Sequence, residues 1–225
     1  MAPGRSLPTI DALRAEVACA GRRLAACGLV SGLAGNVSAR AGELVAVTPT
    51  GGRLATLAAE DVVVVDLGGE LVDAPLPPTS ELPFHLAIYE RFAAGAVVHT
   101  HPPMATAVAC VADELPCIHY SLLALGGSVR VARYETFGTD SLAASVVTAL
   151  EDRSAALMAS HGAVCHGRDL EEAIDATELL EWACGVYLHA RACGTPRVLA
   201  ADERRAVAEA LAAYDRSRGR RPQAR

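Results

Sequence analysis

Residues 96–103 read Ala-Val-Val-His-Thr-His-Pro-Pro: an apolar run, two histidines at i and i+2, and a proline pair. An apolar, β-branched run of this length predicts a buried strand over 96–100. Alternate residues of a strand share a face, so His99 and His101 lie side by side where the strand ends. Working outward, Glu81 to Ala93 has helical spacing with Thr79 or Ser80 as its cap, and a short helix follows near Met104–Ala112.

Further out, helices are expected over 9–29, over 140–152 (Asp-Ser-Leu-Ala-Ala-Ser-Val-Val-Thr-Ala-Leu-Glu-Asp), from Leu170 to Cys193 and from Ala201 to Tyr214. Strands are expected in "LVAVTPTGG", "DVVVVDLGG", "GGSVRVARYETFG" and "AALMAS", and "HGAVCHG" reads as a glycine-flanked turn. Several strands follow one another through short turns. The expected fold is therefore α/β, a three-layer sandwich of helices on a mixed, mostly antiparallel sheet. A single domain over 1–215 is expected, with residues 216–225 an arginine-rich, disordered tail.

Composition closes several routes. The chain has 225 residues, 52% hydrophobic, enough for one large core. Its formal charge of −6 argues against a nucleic-acid partner. No apolar run reaches membrane-spanning length, so no membrane partner is expected. The N-terminus lacks the apolar block of a signal peptide, so the cytoplasm is the expected location. The seven cysteines are an odd, scattered set, read as reduced, small core residues. All twenty basic residues are arginine, so no lysine exists for Schiff-base chemistry or for a P-loop. Asn36 is the single asparagine.

His161, flanked by Ser160 and Gly162, ends another expected strand. If that end meets the end bearing His99 and His101, three imidazoles converge, the ligand pattern of catalytic zinc with an open position. His166 is a rival third ligand, while His85, His119 and His189 read as core or surface residues. Pro78-Thr79-Ser80-Glu81 suits two roles. It is an ordinary helix start, or an anion site at a helix N-terminus with Glu81 beside it as metal ligand or general base. Gly35-Asn36-Val37-Ser38 and Thr48-Pro49-Thr50-Gly51-Gly52 add amide, hydroxyl and backbone donors, or ordinary turns.

The ordered set "GLAGNVSAR", "VTPTG", "PTSELPFHLAIY", "AVVHTHPP", "PCIHYSLLALGG", "ARYETFGT" and "SHGAVCHG" resembles the class II aldolase/adducin family along nearly the whole chain. The resemblance implies that family's three-layer fold and zinc held by His99, His101 and His161. It implies a substrate phosphate held by Asn36, Thr50, Gly51, Thr79 and Ser80, with Glu81 as acid/base and resting-state metal ligand. It also implies a homotetramer with intersubunit sites, in which Tyr120 reaches a neighbour's site and Tyr214 helps to cover one. The implied activity is cleavage of a (deoxy)ketose 1-phosphate, such as L-fuculose 1-phosphate, to dihydroxyacetone phosphate and a short aldehyde. Alternatives within the resemblance are a sugar-phosphate 4-epimerase or dehydratase, and a non-catalytic adducin-like binding protein. Family epimerases carry aspartate where this chain has Glu81, and a non-catalytic member would be expected to have lost ligands that are present here.

Overall fold

The computed structural model describes residues 9–218. The first helix, α1 (Ile10–Ala26), starts where Thr9 Oγ1 accepts the Ala12 N–H at 3.2 Å. Its face bearing Leu13, Val17 and Leu24 is buried. Strands β1 (Asn36–Ala41), β2 (Leu44–Val47), β3 (Val63–Asp66) and β4 (Leu71–Asp73) follow, then α2 (Leu82–Arg91) and β5 (Ala96–Thr100). The chain continues through α3 (Pro103–Ala109), β6 (Glu114–Leu115), a 3-10 helix at Tyr120–Leu125, and β7 (Val129–Ala132). It ends with α4 (Asp140–Leu150), β8 (Ala155–Met158), β9 (Gly162–Gly167), α5 (Leu170–Cys193) and α6 (Ala201–Arg218).

The nine strands form one sheet in the order β4-β3-β2-β1-β5-β9-β8-β7-β6. Every neighbouring pair is antiparallel except β7 with β8. Strand periodicity separates the two faces. Ala96 and Val98 of β5 pack with α1 and the start of α5. Val97, between them, packs with Phe84, Ile88 and Tyr89 of α2 and with α4 residues. On β8, Ala155 and Leu157 likewise face α3 and α5, while Ala156 and Met158 face the α2–α4 layer. This is the expected three-layer α/β/α sandwich.

Four local expectations need correction. "HGAVCHG" is a strand, β9, paired on both sides, because residues 162–165 are all buried between β5 and β8. The cap position of α2 is Glu81, which makes no side-chain cap bond; Thr79 Oγ1 accepts the Glu81 N–H at 3.3 Å instead. Cys19, Cys27, Cys110 and Cys193 are exposed, and only Cys117, Cys165 and Cys184 are core residues. The last helix runs on to Arg218, into the expected tail, and residues 219–225 lie outside the described residues. Among the described residues no helix is long and apolar enough to cross a membrane.

Candidate metal centre

Three strand ends and one helix start build the site. Asn36 opens β1 directly opposite His99 on β5. His99 pairs on its other side with Val164 of β9. His161 stands in the turn between β8 and β9, its N–H bonded to the Met158 carbonyl at 3.0 Å. The preceding residue, Ser160, has φ +51°, a left-handed conformation that is costly outside glycine and concentrates at functional sites. Gly162 lets the turn close: a Cβ there would lie 2.5 Å from the Thr100 carbonyl oxygen and 2.8 Å from His101 Cδ2. Two loops bring in the rest. An isolated bridge joins Pro49 to Pro78, with Thr50 N–H donating to the Pro77 carbonyl at 3.0 Å and Thr79 N–H to the Thr48 carbonyl at 3.1 Å.

His99, His101 and His161 offer ligand nitrogens that all lie within 4.8 Å of one another. The Nδ1–H of His99 donates to the Ala163 carbonyl at 2.9 Å, which leaves Nε2 to face the cluster. Nε2 of His101 is 2.8 Å from it. Two imidazole lone pairs at that distance repel unless a proton or a cation lies between them. Glu81 Oε2 sits 3.1 Å from His99 Nε2, and Oε1 sits 3.3 Å from His161 Nε2. Oε1 is buried and has no hydrogen-bond partner among the described residues. An orphaned carboxylate oxygen beside a cluster of three imidazoles is the donor set of a divalent transition metal.

The protonation states agree with that fit. Burial pushes His101 down to about 4, helped by His99 and His161 and opposed by Glu81. Burial lowers His161 as well. Burial works to raise Glu81, but hydrogen bonding and charge from His99, the Asn36 amide and His161 outweigh it and hold the carboxyl at about 2. His101 and His161 held toward the neutral form, beside an ionised Glu81, are the forms a metal needs.

The cluster opens into a cavity of about 330 Å³ that includes Asn36, Thr50, Gly51, Thr79, Ser80, Glu81, His101 and His161 in its lining. The proposed phosphate ligands are thus brought together at the N-terminal end of α2, the positive end of its dipole. Asn36 directs an N–H to Glu81 Oε2 at 2.8 Å. Among the described residues no arginine lines the cavity, and its hydroxyl, amide and backbone donors are neutral.

Two candidates are not brought here. Tyr120 is half exposed, lies tilted against the His119 ring and does not line the cavity. Tyr214 is exposed on α6, also away from it. The rival ligand His166 is excluded from the cluster: its Nε2 bonds the Arg153 carbonyl at 3.1 Å and its ring stacks on Phe92. The proline pair after His101 does not line the cavity either. Pro102 and Pro103 start α3, whose Met104 and Ala105 N–H groups donate to the Glu181 carboxylate. Sequence reasoning missed Leu33 and Phe137, exposed apolar residues on the cavity wall, and His85, buried behind Asn36. His85 and Tyr89, four apart on one helix face, were the available signal for the last.

With this geometry in place, comparison with known proteins is informative. Residues 15–188 match the Class II Aldolase and Adducin N-terminal domain. The chain is 39% identical over 205 residues to the 5-methylthioribulose-1-phosphate/5-deoxyribulose-1-phosphate aldolase of Rhodospirillum rubrum, covering 90% of this chain and 92% of the other. It is 35% identical over 204 residues to the 5-deoxy-D-ribulose 1-phosphate aldolase of Bacillus thuringiensis, covering 89% and 96%. A solved L-fuculose 1-phosphate aldolase superposes with a TM-score of 0.86 at 34% identity, covering 92% of this chain and 99% of that one. The chain belongs to the class II aldolase and adducin family.

Proposed function

We propose that the protein is a metal-dependent aldolase that cleaves a (deoxy)ketose 1-phosphate to dihydroxyacetone phosphate and a short aldehyde. The observation that carries this reading is the juxtaposition of the His99–His101–His161 cluster and Glu81 with a cavity of neutral anion donors. Zinc is the metal that best suits three imidazoles and a carboxylate. When bound, it supplies a Lewis acid for the negative charge that develops as the carbon–carbon bond breaks. That is the task an iminium performs in a lysine aldolase, and this chain has no lysine.

The chain's own residues do the rest. Thr50, Gly51, Thr79 and Ser80, with the free N–H of Asn36, hold the phosphate by hydroxyl and backbone donors. Glu81 carries the proton to and from the hydroxyl-bearing carbon of the enediol that cleavage leaves on the triose phosphate. The apolar walls offered by Leu33 and Phe137 suit a substrate whose far end is a methyl rather than a hydroxyl. The names of the Rhodospirillum and Bacillus relatives, both deoxyribulose-phosphate aldolases, support that choice. Tyr120, outside its own chain's cavity, serves the aldehyde oxygen from a neighbouring copy in a homotetramer, and Tyr214 covers a site in the same assembly.

The test is a coupled assay for dihydroxyacetone phosphate on 5-deoxyribulose 1-phosphate, L-fuculose 1-phosphate and ribulose 5-phosphate. Release of the triose from the first two supports cleavage. Conversion of ribulose 5-phosphate to xylulose 5-phosphate without triose would instead make the protein an epimerase.

A further inference from the structure

Behind Glu81 lies a row of buried polar groups of which the proposed reaction uses only the first, Asn36. Asn36, Ser38, His85 and Tyr89 are each at most 5% exposed. Asn36 Nδ2 is 2.8 Å from Glu81 Oε2, and Asn36 Oδ1 is 2.5 Å from His85 Nε2. His85 Nδ1 is 2.7 Å from Ser38 Oγ, which is 2.7 Å from the Tyr89 hydroxyl. The row thus runs from the metal centre through β1 to the buried face of α2.

Chemistry gives this row a single direction. A carboxylate oxygen only accepts, so the end of Asn36 that meets Glu81 must be its NH₂. The other end is then the carbonyl, which needs a donor, so His85 must carry its proton on Nε2. Burial holds the His85 ring neutral, pushing it down to about 3, with His99 adding to the shift and Glu81 opposing it. A neutral ring protonated at Nε2 has a lone pair at Nδ1, which takes the Ser38 hydroxyl proton. Ser38 Oγ then accepts from the Tyr89 hydroxyl. Four hydrogen bonds therefore point one way, from Tyr89 to the carboxylate.

We propose that His85 is a positioning residue that fixes the Asn36 amide so that an N–H, and never a carbonyl, meets Glu81. In the reversed amide, Oδ1 would face the carboxylate and NH₂ would face the His85 N–H. Both ends of a buried amide would then be unsatisfied, a cost of about 1–3 kcal/mol for each lost partner. The carboxylate selects the NH₂ end of Asn36, and the histidine ring behind it holds that choice by donating to the carbonyl end. Fixing the amide holds Glu81 Oε2 in place beside His99, leaving Oε1 toward His161. This proposal rests on Glu81 being the proton-carrying group of the reaction.

Two measurements test it. Long-range ¹H–¹⁵N NMR of the zinc-loaded wild-type protein reads the ring tautomer directly. A neutral Nε2–H ring at His85 is expected; an Nδ1–H or doubly protonated ring would overturn the proposal. In kinetics, His85→Leu removes both polar ends, while His85→Gln offers a donor and an acceptor. His85→Leu is expected to lower kcat by about 10- to 100-fold, with KM for the ketose phosphate little changed, and His85→Gln to restore most of the loss. A His85→Leu protein with undiminished kcat, or a His85→Gln protein no better than it, would also overturn the proposal. If His85→Leu does not fold, the tautomer decides. If the wild-type cleaves no ketose phosphate, the proposed activity fails, and the tautomer still decides the direction of the row.

Discussion

Strand β9 has a histidine and a glycine near each end, and the two ends are very different places. At one end His161 precedes Gly162; at the other His166 precedes Gly167. Both glycines are forced by packing. A Cβ at Gly162 would lie 2.5 Å from the Thr100 carbonyl oxygen, and one at Gly167 would lie 2.7 Å from the Ala173 nitrogen. Both ends adjoin a cavity, and the one at the His166 end is slightly larger, about 370 Å³ against about 330 Å³. Both histidines are pushed toward the neutral form, burial being the main cause. What separates the ends is hydrogen bonding. His166 has a carbonyl partner and a ring to stack on. His161 faces a carboxylate oxygen that nothing satisfies and two imidazoles that crowd it. Neither cavity size nor a histidine beside a glycine marks a site here; unspent donor atoms do.

The largest effect that would break this contrast is at Glu81. Glu81→Gln keeps the size of the side chain and the three imidazoles but removes the proton carrier. Turnover is expected to fall by about 10²- to 10⁴-fold while zinc content stays near that of the wild-type. Steady-state kinetics with metal analysis checks both; near-normal turnover would remove Glu81 from the chemistry.

The next effect is on stability. The buried ring of His85 is held at about 3 against an ordinary 6.5, chiefly by burial. Above pH 6.5 the ring is neutral in both folded and unfolded chains. As pH falls from 6.5 toward 3, the unfolded chain takes up the proton and the folded chain does not, so stability is lost. The contribution is on the order of 5 kcal/mol at full extent. Urea midpoints of metal-stripped protein should fall steadily between about pH 7 and pH 4, and a flat profile would contradict a buried neutral ring.

The glycine pair sharpens the comparison further. Gly162→Ala and Gly167→Ala should each cost about 1–3 kcal/mol, since each forces backbone apart. Only Gly162→Ala should also weaken metal binding, because its Cβ meets the His101 ring. Thermal melts with and without zinc separate the two. The smallest effect is expected for His166→Leu, which gives up one hydrogen bond, about 1 kcal/mol, with metal affinity unchanged by isothermal titration.

Much of this was legible in the sequence, and the reasons are physical. The run 96–100 is apolar and β-branched, and β5 covers those residues. The expected helix from Leu170 to Cys193 matches α5, whose Asp169 cap accepts the Glu172 N–H and whose end is marked by Gly194. β9 was misread because glycines at its ends and a cysteine and alanine within it look like a turn. Its strand character comes from neighbours on both sides, which local sequence does not display. The three clustered histidines and Glu81 were legible because strand ends and a helix start concentrate such residues. The row through His85, Ser38 and Tyr89 was not, because it joins a helix to a strand distant in sequence, and only the packing of α2 on the sheet makes it. Likewise the proline pair at 102–103, which stops the strand pattern in the sequence, starts α3 in the fold.

The most direct test compares metal content across β9. Wild-type, His161→Ala and His166→Ala proteins are loaded with zinc, dialysed side by side and assayed for bound metal per chain. The account predicts stoichiometric zinc in the wild-type and His166→Ala proteins and background levels in His161→Ala. Equal metal in all three, or none in the wild-type, would contradict it.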